Sequence, residues 1–260
     1  MSNKLTVIIP IHKLDVEDSY IIEMFESLAK QDSKDFDILV ATFADLKKQV
    51  EASNTFGLKL NFLDLPEELR ELYPNYTEVI NFAVQTSIST PYFTVLQYDD
   101  VLNNTFVTYT EEYSKAYPNV SVFLPINLEF DGESFTNMVN ELAWSMNYTD
   151  KQGYLDFETL KKMSLFSFTS AIYKTAEFID NGGYKHSIKK YFEYEYFLRI
   201  LNQLSEVMVI PKLMVRHRIK REGSLTAYYD SLDKLEIKFY QDLAKKEYFF
   251  SEDRHITYEG

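Results

Sequence analysis

Two adjacent carboxylates, Asp99 and Asp100, follow an apolar run and have the clearest capacity for chemistry in the chain. The run, Tyr92–Gln97, has the composition of a buried strand. A carboxylate beside such a strand is costly unless it is paired or binds a cation. One or two carboxylates together with substrate phosphates suffice to hold Mg²⁺ or Mn²⁺. The pair is therefore a candidate metal site, and a solvated turn is the alternative that the residue types leave open.

Several other kinds of site are excluded by what the sequence lacks. It has only 7 glycines and contains neither GxGxxG nor GxxxxGK[ST], which argues against dinucleotide-binding and P-loop enzymes. It has no GxSxG nucleophile elbow. Cysteine is absent, so disulfides and thiolate metal sites are excluded. The four histidines are not spaced as in zinc proteases.

The elements that must position the carboxylates alternate between strand and helix over the first hundred residues. This order predicts a doubly wound α/β sheet. The predicted strands are Leu5–Ile9, Phe36–Thr42, Leu58–Leu63 and Tyr92–Gln97, with helices over Asp15–Gln31 and Glu78–Ser87. Farther along, helices are predicted over Asn104–Ala116, Glu133–Asn147, Tyr191–Gln203 and Ala227–Glu247, and extended segments over Val120–Phe130, Phe166–Tyr173 and Glu206–Val215.

Ligands of open α/β sheets bind outside the carboxyl ends of the strands, near the point where the strand order reverses. The residues that follow the predicted strands here are Pro10–His12, Thr42–Asp45, Leu63–Leu65 and Gln97–Asp100. Asp99 and Asp100 therefore fall where a site is expected.

The charge of the chain limits the kinds of partner that it could bind. The chain has 260 residues with 27 basic and 40 acidic side chains, a formal charge of −13. This disfavours a generic binder of nucleic acid or anionic membranes. The run RHRIKR, Arg216–Arg221, is the one place to look for a basic patch. The sequence shows neither a signal peptide nor a membrane span, so a soluble cytoplasmic protein is expected.

Six segments in order resemble the family 2 glycosyltransferases, which are inverting enzymes with a GT-A fold. They span roughly residues 4–226. In chain order they read TVIIPIHK, ESLAKQDSKDFDILVATFAD, INFAVQTSISTPYFTVLQYDD, FTSAIYKTAEFIDNGGYKHS, YFEYEYFLRIL and VIPKLMVRHRIKREGSLT.

The resemblance implies a GT-A-type doubly wound mixed sheet. It implies a glycosyltransferase domain over residues 1–226, with a donor nucleotide half over about 1–100 and an acceptor half over 101–226. Residues 227–260 are expected to form a C-terminal helical extension.

The resemblance also implies roles for particular residues. Asp99, Asp100 and His217 are the implied ligands of Mn²⁺ or Mg²⁺, and Glu193 is the implied general base, with Glu195 as its neighbouring alternative. Either His217 or Lys220 is expected to neutralise the leaving diphosphate. The implied donor-binding residues are Pro10, Ile11, His12, Asp45, Asn81, Gln97, Asp100 and Lys220. The implied acceptor-binding residues are Gly182, Gly183 and Tyr184, although the glycine pair could simply end a helix.

Three departures from the family pattern concern functional segments. Gln97 stands where the family usually has a carboxylate, so the metal site is expected to carry less negative charge. Ile80 and Ala83 replace the usual residues around Asn81, and the Glu-Asp pair of the family reads Phe192–Glu193.

The leading hypothesis is a metal-assisted inverting transfer of a hexosyl or pentosyl group from a nucleotide sugar, expected to be UDP-linked. The expected acceptor is a glycan or polysaccharide, with a hydroxymethylated base of phage-type DNA as the weaker option. A catalytically inactive binding or scaffold protein of the same fold is the alternative. A nucleotidyltransferase is a third possibility, but PIHKLD lacks the glycine-rich first loop it would need.

Overall fold

A computed structural model describes residues 4–14, 19–132, 134–141, 152–156, 160, 166–221 and 223–245. Within these ranges the strands belong to one mixed sheet. Helices pack on both of its faces, which is why every residue of the first strand is buried.

The first half alternates strands and helices around a parallel sheet. Its elements are β1 (Leu5–Ile11), α1 (Tyr20–Ala29), β2 (Phe36–Thr42), α2 (Lys47–Ser53), β3 (Leu60–Asp64), a 3₁₀ turn (Glu67–Leu69), α3 (Leu72–Ser87) and β4 (Tyr92–Val95). These strands lie in the order β3-β2-β1-β4, and every pairing among them is parallel. All seven residues of β1 are buried, which explains its uninterrupted apolar sequence.

The second half adds antiparallel pairings. Its elements are β5 (Val101–Leu102), α4 (Phe106–Ala116), β6 (Val120–Asp131), β7 (Ser134–Val139), β8 (Tyr154–Leu155), β9 (Ile172–Lys174), α5 (Thr175–Asp180), α6 (Phe192–Asn202), β10 (Glu206–Arg218), α7 (Leu225–Ser231) and α8 (Lys234–Lys245). From β4 the sheet continues through β9, β6 and β10 to β5, while β7 pairs with β6 and β8 with β10. The predicted α/β class with a mixed sheet is confirmed.

Two hydrophobic clusters cover the two faces of the sheet. In β1, Val7 and Ile9 belong to one cluster and Ile8 to the other, as the alternation of side chains along a strand requires. One cluster contains the aromatic residues of α6 and α5, and the other packs α1 and α4 against the sheet. The strand ends that carry the candidate residues are therefore held from both sides.

Two predicted helices differ from the structure. Within Glu133–Asn147, residues Ser134–Val139 form strand β7, because their backbone pairs with β6 from Asp131 to Asn127. Residues 133 and 142–147 lie outside the described part of the chain. The single helix predicted over Ala227–Glu247 is two helices, and Asp233 marks the new start because its Oδ1 accepts a hydrogen bond from the Leu235 N–H at 2.7 Å. Residues 246 and 247 lie outside the described part of the chain.

Among the described residues, no helix combines the length and apolar character needed to cross a bilayer. The cytoplasmic location stays a prediction, and so does the division into domains.

Candidate functional site

The candidate residues meet where three strands of the sheet end. Pro10 and Ile11 close β1, residues 97–100 follow the parallel strand β4, and His217 and Arg218 close β10. Strand β10 comes within reach because it pairs antiparallel with β5, where Arg216 faces Val101. Residues 117 positions apart in the chain therefore touch across this edge.

Asp100 is fully buried and holds His217 in place. The Nδ1 of His217 lies 2.9 Å from one carboxylate oxygen of Asp100 and 3.1 Å from the other. The backbone N–H of Arg218 donates to the same carboxylate at 2.9 Å. Burial lowers the pKa of His217, but the charge and hydrogen bond of Asp100 outweigh it and raise that pKa to about 9. His217 is therefore cationic at neutral pH while no metal ion replaces its proton.

Asp99 is paired with Arg221. The Nε of Arg221 donates to Oδ2 of Asp99 at 2.7 Å, and the guanidinium lies 4.7 Å from the centre of the Tyr98 ring. Burial raises the pKa of Asp99 and the neighbouring Asp100 charge raises it further, while Arg221 opposes both. The first carboxylate of the candidate metal site thus has a cationic side chain of the protein beside it.

These residues enclose a small cavity of about 30 Å³, which we name the Asp99 cavity. It lies where the strand ends meet, at the place predicted for a ligand. Its lining is Pro10, His12, Gln97, Tyr98, Asp99, His217, Arg218, Arg221, Ser224 and Leu225. Burial lowers the pKa of His12 to about 4, helped by the charges of Arg221 and Lys13, so this histidine is neutral at pH 7.

A second cavity of about 190 Å³, the Glu193 cavity, adjoins the first. The two share Gln97, His217 and Leu225 as common walls. The full lining is Tyr76, Val95, Gln97, Phe168, Thr169, Ser170, Ala171, Tyr173, Tyr184, Glu193, His217 and Leu225. A nucleotide at the strand ends would therefore have beside it a chamber with four Tyr and Phe side chains in its lining.

Glu193 is half-buried in this chamber, on the first turn of α6. Within the described part of the chain its carboxylate has no hydrogen bond or ion pair, and burial alone raises its pKa to about 7. A carboxylate in this state can accept a proton near neutral pH.

Glu195 has a different environment. It is 1% exposed, and Arg199 donates to both of its carboxylate oxygens, at 3.1 and 3.0 Å. Lys185 adds a third cationic contact at 2.9 Å. Of the two carboxylates proposed as the base, the geometry favours Glu193 because only Glu193 faces the cavity with its oxygens unengaged.

The segment Gly182–Tyr184 forms a turn that is held by Asn81. The Asn81 side chain donates to the Tyr184 carbonyl at 2.7 Å and accepts from the Tyr184 N–H at 2.9 Å. Gly183 has a φ of +63°, and a Cβ added there would lie 2.4 Å from Oδ1 of Asn81. Arg199 braces the turn from below by donating to the carbonyls of Asn181 and, at 2.6 Å, Gly183. Asn81 thus acts on the turn, and the turn places Tyr184 in the cavity wall.

Five predicted donor-binding residues line neither cavity: Ile11, Asp45, Asn81, Asp100 and Lys220. Asp45 is exposed and paired with Arg70 at 3.0 Å. Lys220 is exposed and paired with Asp131 at 3.1 Å. Of the two cations considered for the diphosphate, the geometry favours His217, since it borders both cavities.

Sequence reasoning missed Tyr76, Ser170 and, as a site residue, Arg221. Arg221 was visible only as part of the basic run. Tyr76 belongs to no recognisable motif, but its hydroxyl lies 2.5 Å from the Gln97 amide nitrogen. Ser170 could have been noticed only as a polar residue just before a buried strand.

The comparisons with known proteins find similarity in structure and none in sequence. No family model and no curated protein sequence matches the chain. Residues 1–349 of S. aureus TarS in complex with UDP-GlcNAc superpose with a TM-score of 0.59 at 20% identity, covering 88% of this chain and 61% of that one. The complex of the same protein with UDP gives a TM-score of 0.60 at 18% identity, covering 87% and 62%.

The mannosyltransferase PcManGT from Pyrobaculum calidifontis, in complex with GDP-Man and Mn²⁺, has a TM-score of 0.59 at 13% identity, covering 86% of this chain and 59% of that one. The chain thus spans about 60% of the length of these structures. At these identities the likeness establishes the fold, which is one that glycosyltransferases use.

Proposed function

We propose that the protein is an inverting glycosyltransferase that moves a hexosyl or pentosyl group from a nucleotide sugar, with Glu193 as the general base. The observation that carries the proposal is the Glu193 cavity, in which a carboxylate with a pKa of about 7 lies beside the strand-end cavity of Asp99. The superposition on structures that hold UDP-GlcNAc and GDP-Man supports a nucleotide-sugar donor, and the expected nucleotide is UDP.

The reaction assigns a separate task to each cavity. The nucleotide diphosphate lies against the residues of the Asp99 cavity, whose volume of about 30 Å³ is too small to enclose it, and the sugar lies in the Glu193 cavity. Glu193 takes the proton of the acceptor hydroxyl as that oxygen attacks the anomeric carbon. The bond from this carbon to the diphosphate breaks on the opposite face, so the configuration inverts. Arg221 carries positive charge close to the departing diphosphate, and so does His217 while no metal ion is bound to it.

The residues present fit a divalent cation held jointly with the donor. Among the described residues no three His, Asp or Glu side chains form a ready-made ligand set. Asp99 and His217 nevertheless border the same cavity, and Asp100 binds Nδ1 of His217, which leaves Nε2 for a metal ion. A carboxylate that orients a histidine in this way is the common outer partner of metal-bound histidines. Bound Mn²⁺ or Mg²⁺ would neutralise diphosphate charge, with phosphate oxygens completing its coordination.

The acceptor we propose is a hydroxyl of a glycan or polysaccharide. The rival, a modified base in DNA, needs a basic surface. In the run Arg216–Arg221, however, Arg218 is buried and paired with Glu23, and Arg221 is paired with Asp99. Much of this charge is therefore used inside the protein.

The test is a panel of nucleotide sugars with Mn²⁺, in which nucleotide binding and release are measured for wild type, Asp99→Ala and Glu193→Gln. The wild type is expected to bind at least one donor and to release its nucleotide. Asp99→Ala is expected to weaken donor binding, whereas Glu193→Gln binds the donor and does not transfer. Glu195→Gln serves as the comparison, since its carboxylate lies outside the cavity. If no nucleotide sugar binds with or without metal, the protein is the catalytically inactive binding or scaffold protein of the alternative hypothesis.

A further inference from the structure

Ser170 lies in the wall of the Glu193 cavity with an unusual backbone. Its φ is +52°, a left-handed value that residues other than glycine adopt uncommonly. Such conformations persist when the surroundings impose them, and they concentrate at functional sites. An observed backbone outlier in a cavity wall is therefore a reason to ask what the residue does there.

The neighbouring polar side chains hold this segment firmly. The Ser167 hydroxyl donates to the Thr169 hydroxyl at 3.1 Å and accepts from the Asn127 amide at 3.1 Å. Asn140 accepts from the Ser167 N–H at 2.8 Å and donates to the Ser167 carbonyl at 2.9 Å. Each of these side chains has at least one hydrogen-bond partner, although Oδ1 of Asn127 has none among the described residues.

Ser170 differs from these neighbours. It is 3% exposed, and among the described residues its hydroxyl has no hydrogen-bond partner. Leaving a buried hydroxyl unpaired is unfavourable, so the group contributes nothing to the fold that alanine or glycine would not. Glycine would in addition remove the strain of the positive φ.

We propose that Ser170 determines sugar specificity: its hydroxyl, which has almost no accessible surface in the empty protein, rotates about χ1 into the cavity and makes a hydrogen bond with a hydroxyl of the sugar that is transferred. This inference rests on the proposed function. The cavity of about 190 Å³ has the size of one monosaccharide, and the walls Gln97 and His217 join it to the place of the diphosphate. Tyr76, Tyr173 and Tyr184 supply aromatic surface for the ring. In this arrangement the sugar lies between Ser170 and Glu193.

The decisive variant is Ser170→Gly, because glycine removes the hydroxyl and accepts the backbone conformation. Isothermal titration in the presence of Mn²⁺ compares free UDP with the nucleotide sugar that binds wild type best. Ser170→Gly is expected to bind the nucleotide sugar about tenfold more weakly, the effect of one hydrogen bond. Its affinity for the free nucleotide and its thermal midpoint are expected to stay at or above those of wild type.

A set of donors that each lack one ring hydroxyl completes the test. One of them should bind wild type more weakly than the parent sugar and lose nothing further in Ser170→Gly, which identifies the contacted hydroxyl. Equal loss of affinity for UDP and for the nucleotide sugar would mean that Ser170 is structural, and unchanged affinity for both would also overturn the inference. If wild type binds no nucleotide at all, the proposed function is wrong, and so is this inference, which rests on it.

Discussion

Burial raises the pKa of Glu193 to about 7, and this sets a pH dependence for transfer. The carboxylate accepts a proton only in its ionised form, so the transfer rate is expected to rise with pH through about 7 and then level off. Initial rates at saturating donor would show this, with nucleotide affinity measured over the same range as the control. Glu193→Gln is expected to lose about 10²-fold or more in rate and the pH dependence with it. A rate that falls across neutral pH would contradict the assignment.

The same carboxylate lowers the stability of the fold at neutral pH. Its pKa is about 7 in the folded protein and lower in the unfolded chain, so the folded state holds the proton more tightly. Stability therefore falls as pH rises through this window and is constant above it. Glu193→Gln removes the penalty and is expected to raise the free energy of unfolding at pH 8 by on the order of 2 kcal/mol. Urea unfolding at pH 5 and pH 8 would measure this, and the gain should shrink at the lower pH.

At the scale of single residues, the sequence indicated the candidate carboxylates but not their partners. Asp99 stands out because it follows an apolar run, whereas Glu193 was implied only by the resemblance of its segment to the family 2 glycosyltransferases. The Arg221 that pairs with Asp99 lies 122 positions away in the chain. The pairing of β10 with β6 and with β5 brings them together. No local pattern encodes such a contact.

At the scale of elements, the turn between α5 and α6 depends on one glycine more than on the other. Both Gly182 and Gly183 have positive φ, but only at Gly183 would a Cβ meet another atom, Oδ1 of Asn81 at 2.4 Å. Gly183→Ala is expected to destabilise the protein by about 2 kcal/mol or more, since it combines backbone strain with loss of the Asn81 bonds. Gly182→Ala is the matched control, with about 1 kcal/mol from strain alone. Urea midpoints of the two variants would separate these effects, and equal midpoints would remove the role given to Asn81.

Strands were predicted correctly where burial gives them an apolar sequence. A strand that is defined mainly by its backbone pairing was missed. Strand β2 is found at its predicted bounds, Phe36–Thr42, because its buried centre is the apolar run Ile38–Ala41. Strand β7 was predicted as helix. Its side chains are mostly exposed, so no apolar alternation marks it, and it is a strand only because β6 offers an edge.

At the scale of the whole molecule, Arg218 joins parts of the chain that are distant in sequence. It is 8% exposed, its guanidinium donates to Glu23 of α1 at 2.6 Å, and its Nε donates to the Asp99 carbonyl at 3.2 Å. Arg218→Ala leaves these groups unpaired and is expected to cost about 3 kcal/mol in unfolding free energy.

The exposed Arg216 is the control for this variant. It lies over the Phe130 ring at 4.8 Å, and Arg216→Ala is expected to cost less than about 1 kcal/mol. Neither variant should change retention on a nucleic-acid column, because the chain as a whole carries a charge of −13. Strong retention of wild type that is lost in Arg216→Ala would support the alternative in which the acceptor is a modified base in DNA.

The ion pair of Arg221 with Asp99 affects the order in which the metal ion and the donor bind. Since the carboxylate already has a cationic neighbour at 2.7 Å, Mn²⁺ arriving alone must compete with that side chain. A nucleotide diphosphate offers Arg221 a new anionic partner, which releases Asp99 to the metal. Ion and donor should therefore enter together, with little Mn²⁺ bound beforehand. Paramagnetic resonance of free Mn²⁺ should show weak uptake without UDP and strong uptake with it. In Arg221→Ala this order of addition should be lost, with Mn²⁺ binding to the empty protein.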